Sequence, residues 1–98
     1  MMRAIGLAEF ARFLGLPAPA RDAAFDAVST DTRTLAPGSL FVALRGENFD
    51  GHDFVAEAVR RGAGALLCSR PVDAAVPVLQ VADTLVALGE LGRFNRSL

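Results

Sequence analysis

Near residue 30, four hydroxyl side chains stand close together with one acid and one base among them. They are Ser29, Thr30, Thr32 and Thr34, with Asp31 and Arg33 in between. Hydroxyls and a guanidinium offer hydrogen-bonding groups at defined positions, which a diphosphate or a uracil-like ring requires. The alternative is structural, because Ser, Thr and Asp also stabilise turns and an Asp-x-Arg pair often forms only a local ion pair.

A second candidate is the polar loop from Gly46 to Gly51. Glycine at each end allows the backbone to approach a ligand closely. Asn48 offers a donor and an acceptor to an imide edge, and Phe49 offers a ring on which a base can stack. The alternative is a capped loop whose Phe49 only fills the core. Because the apolar run 40–44 directly connects the hydroxyl segment to this loop, we expect the two segments to form one small-ligand recess.

Other chemistry is weakly represented. His52 has no cysteine or second histidine near it in the sequence, so it is interpreted as a surface or cap-region residue, neither metal ligand nor general base. Cys68 ends an apolar run and is interpreted as a core residue. No Ser-His-Asp set, pair of catalytic carboxylates or metal cluster can be assembled, so we predict no catalytic residue and no metal ligand.

The charge balance excludes several classes of partner. Ten basic residues, all of them arginine, oppose eleven acidic ones and leave a formal charge of −1. Such a chain has no net field for nucleic acid or an acidic membrane surface, and we expect neither as a partner. The absence of lysine excludes a P-loop in this chain. One cysteine and no apolar run near the ~18 residues of a membrane span indicate a soluble, cytoplasmic protein.

The apolar pattern predicts the elements that must position these segments. The 98 residues, 52% of them hydrophobic, are enough for one core. Helices are predicted at about 7–14, from Phe54 to Gly62 with Asp50 or Asp53 as the cap, and after the N-cap Asp83. The apolar positions of the second helix are Phe54, Val55, Ala58 and Val59. Strands are predicted at 24–30, 40–44, 65–68 and 76–81. This order favours an α/β fold, with a small mixed β-sheet flanked by helices.

Three of these elements carry more specific expectations. The strand 40–44 is continuously apolar and is predicted to be interior. Pro77 restricts the strand 76–81 to an edge of the sheet, unless the proline lies near the start of the strand. In the last helix the apolar stripe is interpreted as core or as an interface with a further domain; it consists of Leu85, Leu88, Leu91 and Phe94, widened by Val86. This helix shows no evident C-cap before Leu98, which suggests a boundary within a longer protein.

Several motifs together resemble the N-terminal domain of the Mur ligases. They are Thr30-Asp31-Thr32-Arg33, Pro37-Gly38-Ser39-Leu40-Phe41-Val42-Ala43-Leu44, Gly46-Glu47-Asn48-Phe49-Asp50-Gly51-His52-Asp53-Phe54 and Gly62-Ala63-Gly64-Ala65. The similarity extends from about Leu7 to Phe94. Within the family the chain is most similar to the branch that adds D-alanyl-D-alanine. The alternatives are the branch that adds the third stem-peptide residue and, from a different class, a free-standing nucleotide-sugar binding module.

The resemblance implies a three-domain cytoplasmic enzyme of peptidoglycan synthesis that uses ATP and Mg²⁺ to form an amide bond. Residues 1–98 would be the first domain, which holds the UDP end of UDP-MurNAc-tripeptide. The central ATPase domain and the C-terminal domain of the same ligase would be its partners and are absent from this chain. By this resemblance the chain alone needs no cofactor and is catalytically inactive.

The resemblance also implies contact residues for the UDP group. Thr30 and Thr32 match the contacts to uridine and diphosphate after the first strand. Glu47, Asn48 and Phe49 match the loop that touches the nucleotide sugar. A relative carries serine where Thr32 stands and a different triplet in the loop, so the resemblance favours contacts from the backbone. Arg33, with Asp31, is assigned first to support of the turn and second to phosphate contact.

Overall fold

The computed structural model describes residues 2–98. Its helices are α1 (Leu7–Phe13), α2 (Val55–Arg60) and α3 (Thr84–Arg96), and a 3₁₀ turn (Gly51–Phe54) leads into α2. Its strands are β1 (Ile5–Gly6), β2 (Ala24–Phe25), β3 (Val28–Ser29), β4 (Leu40–Val42), β5 (Ala65–Cys68) and β6 (Val78–Gln80). Over residues 2–98, no helix combines the length and the hydropathy that crossing a bilayer requires.

The strands form two sheets. Four parallel strands lie in the order β3-β4-β5-β6, and β1 pairs with β2 in a separate antiparallel ribbon. The predicted α/β fold with flanking helices is confirmed. The parallel pairings all lie in the four-stranded sheet, and the antiparallel pairing of strands lies in the β1–β2 ribbon. The predicted places of two strands are also confirmed, because β4 is interior and β6 lies at an edge.

Helices cover both faces of the parallel sheet. Side chains alternate along β4, so that Leu40 and Val42 join one cluster while Phe41 and Ala43 join the other. The first cluster contains buried residues of α1 and α3, and the second contains buried residues of α2. Cys68 is fully buried in the second cluster, which confirms its interpretation as a core residue.

The predicted strand 24–30 is wrong as a single element. Its first part pairs with β1, which the sequence analysis did not predict, and its second part pairs with β4. The chain therefore leaves one sheet and enters the other between Phe25 and Val28. A two-residue ribbon is too short to leave a periodic apolar pattern, so its partner decides its structure.

The core interpretation of the apolar stripe in α3 is wrong at the first turn of the helix, whereas the alternative, an interface with a further domain, stays a prediction. Leu85 and Val86 are 66% and 61% exposed, because the neighbouring Thr84 faces inward and donates its hydroxyl to the buried carbonyl of Ala43 at 2.7 Å. Asp83 is the N-cap, as predicted, and accepts hydrogen bonds from two backbone amides. The expectation of no C-cap is also wrong, since the hydroxyl of Ser97 donates to the carbonyl of Phe94 at 2.7 Å.

Candidate functional site

Both candidate segments lie at the carboxyl-terminal ends of strands of the parallel sheet. The hydroxyl segment begins at the last residue of β3, and the loop 46–51 begins four residues after the end of β4. Parallel strands present their carboxyl ends at the same edge, and ligands of open parallel sheets bind in the crevice outside these ends. The topology therefore brings the two predicted segments together.

An open recess of about 440 Å³ lies between the two segments. Its lining consists of Thr30, Asp31, Thr32, Arg33, Phe41, Phe49 and Phe54. Four of the six predicted contact residues line it, namely Thr30, Thr32, Arg33 and Phe49. Glu47 and Asn48 are exposed residues of the same loop and are not among the lining. One wall is thus polar and the other aromatic, a combination that fits a flat ring bearing polar groups.

The polar wall is a turn held by its own side chains. The backbone N–H and the guanidinium of Arg33 donate to the Asp31 carboxylate, the latter through Nη2 at 2.8 Å. Ser29 Oγ both donates to the carbonyl of Asp31 and accepts from its amide. The guanidinium of Arg33, followed by its amide, lowers the pKa of Asp31 to about 2. The predicted support of the turn by Asp31 and Arg33 is therefore present, and Thr32 is buried beside it.

The aromatic wall contains two exposed rings in contact. Phe49 and Phe54 stack with centroids 5.4 Å apart and an interplanar angle of 19°, and they are 48% and 40% exposed. The prediction that Phe54 belongs to the apolar face of a helix is wrong, because it ends the 3₁₀ turn outside the core. Phe41, only 1% exposed, forms the floor. The sequence analysis missed Phe41 and Phe54 as lining residues, because both lie in segments that were predicted to be apolar elements of the core. The available signal was their position on either side of the polar loop 46–51.

The loop that carries Phe49 is closed by backbone hydrogen bonds. Gly46 N–H donates to the carbonyl of Phe49 at 2.7 Å, and Gly51 N–H donates to the carbonyl of Leu44 at 2.6 Å. Arg45 and Asp50 face each other as an isolated antiparallel bridge. The loop is therefore a short hairpin whose tip is formed by Glu47 and Asn48.

His52 lies below this hairpin, inside the protein. Its side chain is 1% exposed, so the interpretation as a surface residue is wrong and only its cap-region position is correct. Nδ1 lies 2.7 Å from Oδ1 of Asp50, and Nε2 accepts the backbone N–H of Ser69 at 3.0 Å. Asp50 is the N-cap of the 3₁₀ turn and is also bonded to Arg70 at 2.9 Å.

Because of these contacts, the free energy of unfolding is expected to depend on pH in the acid range. The amide of His52, then its imidazole and then Arg70 lower the pKa of Asp50 from 3.8 to about 2. A folded-state pKa below the unfolded one means that ionised Asp50 contributes stability above pH 3.8, and that this contribution is lost as the pH falls towards 2.

We expect the urea midpoint of the wild type to fall more steeply than that of Asp50→Asn between about pH 5 and pH 2. The variant keeps an oxygen acceptor for His52 but has no carboxylate to protonate. Its midpoint at neutral pH should be the lower of the two. Parallel pH profiles for the two proteins would contradict the assignment of this titration to Asp50.

Two kinds of group that metal and phosphate sites often use are absent from the part of the chain that the structure describes. Residues 2–98 contain no group of three or more His, Cys, Asp or Glu side chains placed to hold a metal ion. The sequence has no lysine to contact a β- or γ-phosphate. Burial raises the pKa of the Cys68 thiol to about 11, so this thiol is protonated at neutral pH.

Comparison with known sequences identifies related proteins. The sequence profile described as "Mur ligase family, catalytic domain" matches residues 24–96. The UDP-N-acetylmuramoyl-tripeptide–D-alanyl-D-alanine ligase of Escherichia coli is 59% identical over 75 residues, which cover 76% of this chain and 17% of that ligase. The UDP-N-acetylmuramoyl-L-alanyl-D-glutamate–2,6-diaminopimelate ligase of Geobacillus kaustophilus is 48% identical over 65 residues, 66% of this chain and 13% of the relative.

Comparison with solved structures gives similar proteins. The MurF structure from Acinetobacter baumannii superposes with a TM-score of 0.79 and 33% sequence identity, over 98% of this chain and 22% of that one. MurF of Thermotoga maritima, solved in complex with ADP, superposes with a TM-score of 0.64 and 32% identity, over 69% of this chain and 16% of that one. The chain thus covers between 13% and 22% of the length of these proteins.

Proposed function

Because this chain belongs to the Mur ligase family, as its N-terminal domain, we propose that it binds the UDP end of UDP-MurNAc-tripeptide. The ligase in question adds D-alanyl-D-alanine in peptidoglycan precursor synthesis. The observation that carries the proposal is the recess of about 440 Å³, in which a hydroxyl-rich turn faces a pair of stacked phenylalanine rings. A uracil ring needs a flat apolar partner and hydrogen-bonding groups at its edge, and the two walls offer these.

Each predicted residue has a role in the proposal. The backbone and hydroxyl groups of Thr30 and Thr32 contact uridine and diphosphate, and Phe49 stacks on the base. Arg33 keeps its Asp31 partner and adds positive charge near the phosphates. Glu47 and Asn48, at the exposed tip of the loop, contact the sugar that follows the diphosphate.

Binding at this end contributes to a reaction that takes place elsewhere. Holding a remote, non-reacting part of a substrate positions its reacting carboxylate, so binding energy is converted into rate. We propose that ATP and Mg²⁺ bind to the central domain of the same ligase, and that the C-terminal domain binds the incoming dipeptide. Residues 1–98 alone are then catalytically inactive. The single cysteine fits a cytoplasmic location, where disulfides are rare.

A ligase that adds the third stem-peptide residue is the second candidate. It is favoured by relatives such as the Geobacillus kaustophilus ligase, whose name specifies 2,6-diaminopimelate. The UDP group is common to both substrates, so the recess does not distinguish them. The higher identity to the Escherichia coli ligase, 59%, supports the D-alanyl-D-alanine branch. A free-standing nucleotide-sugar binding module, from a different class, would use the same recess.

Titration of the ¹⁵N-labelled chain with UDP-MurNAc-tripeptide tests the proposal. Amide signals of residues 29–34 and 46–51 should shift saturably, because these segments form the two walls. UDP should shift the same signals, whereas ATP should leave them in place. Saturable binding of ATP to these segments, or shifts confined to another part of the sheet, would overturn the assignment. Sequencing the gene beyond codon 98 separates a ligase, with its G-K-[ST] loop, from a free-standing module.

A further inference from the structure

We propose that His52 is a positioning residue. Its hydrogen bonds hold the loop that carries Phe49 in the conformation in which Phe49 stacks on Phe54 and lines the recess. This inference rests on the proposed function, since it takes the recess to be the binding site. His52 itself does not line the recess. Its buried imidazole forms hydrogen bonds to two loops, one after β4 and one after β5.

The contacts of the imidazole determine its protonation. Nε2 accepts the backbone N–H of Ser69 at 3.0 Å, so this nitrogen carries no proton. The remaining proton is on Nδ1, which lies 2.7 Å from Oδ1 of Asp50 and donates to it. The ring is therefore neutral, and both nitrogens are engaged in the tautomer that the two partners require.

The two partners belong to different loops at the ligand edge of the sheet. Asp50 follows β4 and ends the hairpin, whereas Ser69 immediately follows β5. The planar ring thus holds the hairpin at a constant distance from the end of the neighbouring strand. Because the side chain is 1% exposed, water has little access to take over either hydrogen bond.

The constraint passes directly to the aromatic wall. Asp50 accepts from the amide and the ring of His52 and from Arg70. The residue before it is Phe49, whose carbonyl accepts from Gly46 at 2.7 Å. With Asp50 fixed, the hairpin has little freedom to rotate the Phe49 ring away from Phe54. A preorganised ring has less conformational entropy to lose when a ligand binds.

The test uses three variants of the chain and UDP as the probe. His52→Ala removes both hydrogen bonds. His52→Gln places an amide oxygen where Nε2 accepts from Ser69, and His52→Asn places an amide N–H where Nδ1 donates to Asp50. Three quantities are measured: the UDP dissociation constant, the hydrogen-exchange rate of the Gly46 amide, and NOEs between the Phe49 and Phe54 rings. Exchange of the Leu66 and Leu67 amides in β5 reports whether the core remains folded.

In the wild type, long-range ¹H–¹⁵N spectra should show the proton of His52 on Nδ1. We expect His52→Ala to bind UDP about tenfold more weakly, to exchange the Gly46 amide faster and to lose the ring NOEs. His52→Gln and His52→Asn should each recover part of these changes.

Unchanged Gly46 exchange and UDP affinity in a folded His52→Ala protein would overturn the proposal, as would a proton on Nε2. If His52→Ala does not fold, the Gln and Asn variants decide, since wild-type values in both would contradict a need for two hydrogen bonds. If the wild type itself does not bind UDP, the proposed function fails, and Gly46 exchange alone then judges the positioning role.

Discussion

Replacing Gly51 by alanine is expected to lower the free energy of unfolding by about 3 kcal/mol. A Cβ atom at this position would lie 2.7 Å from the amide nitrogen of Leu44 and 2.9 Å from its carbonyl oxygen. Both are backbone atoms next to β4 and cannot rotate away. The backbone at Gly51 must therefore separate from Leu44, which breaks the 2.6 Å hydrogen bond between them. Urea unfolding followed by circular dichroism measures the change.

The matched control is the same substitution at Gly89. This glycine lies in the middle of α3, is exposed, and has nothing within 4 Å of an added Cβ. Gly89→Ala should raise the free energy of unfolding by about 0.5 to 1 kcal/mol, because alanine restricts the unfolded chain and favours helix. Equal effects at the two positions would show that the contact of Gly51 with Leu44 is not what determines its effect.

The second large effect concerns ligand binding, and it follows from the proposed function. Phe49→Ala is expected to weaken UDP binding about 30-fold, or about 2 kcal/mol, the typical contribution of one base stacked on an aromatic ring. Phe49 is 48% exposed, so its removal leaves the core intact. The dissociation constant comes from amide shifts of residues 29–34, which lie on the opposite wall and report binding without the mutated loop.

Phe13 offers a control of the same chemistry. It is 39% exposed and stacks on Phe94 with centroids 4.7 Å apart, but it lies on α1, away from the recess. Phe13→Ala should therefore leave the UDP dissociation constant unchanged. If both variants bind UDP as the wild type does, Phe49 does not stack on the base. A similar loss in both would indicate an indirect effect of removing a surface ring.

The sequence predicted those parts of the fold that local patterns determine. The run 40–44 is apolar without alternation because β4 is covered on both faces, and Asp83 caps α3 because a carboxylate satisfies amides of the first turn. The division of segment 24–30 between two sheets was not predictable, because β1 and β4 attract its two ends through distant pairings. The exposure of Leu85 likewise depends on a hydrogen bond of Thr84 to a residue 41 positions away.

The polar wall was easier to predict from sequence than the aromatic wall. Thr30, Thr32 and Arg33 are adjacent in the chain, so their types alone indicated a ligand. Phe54 was assigned to the apolar face of the predicted helix, and only the 3₁₀ turn before α2 places it beside Phe49. His52 was assigned to the surface because the donor to its Nε2 atom, the amide of Ser69, is a backbone group that no side-chain pattern reveals.

Side chains alternate between the two faces of β4, so the residue that forms the floor of the recess depends on the register of this strand. The length of the turn before β4 can change that register. Phe41 reaches the recess because its side chain points to the opposite face of the sheet from those of Leu40 and Val42, which pack towards α1 and α3. Losing one residue from the Pro37–Ser39 turn would exchange the two faces if β4 moved by one residue in its register with β3 and β5. A phenylalanine would then enter the α1–α3 layer, and a smaller aliphatic side chain would form the floor.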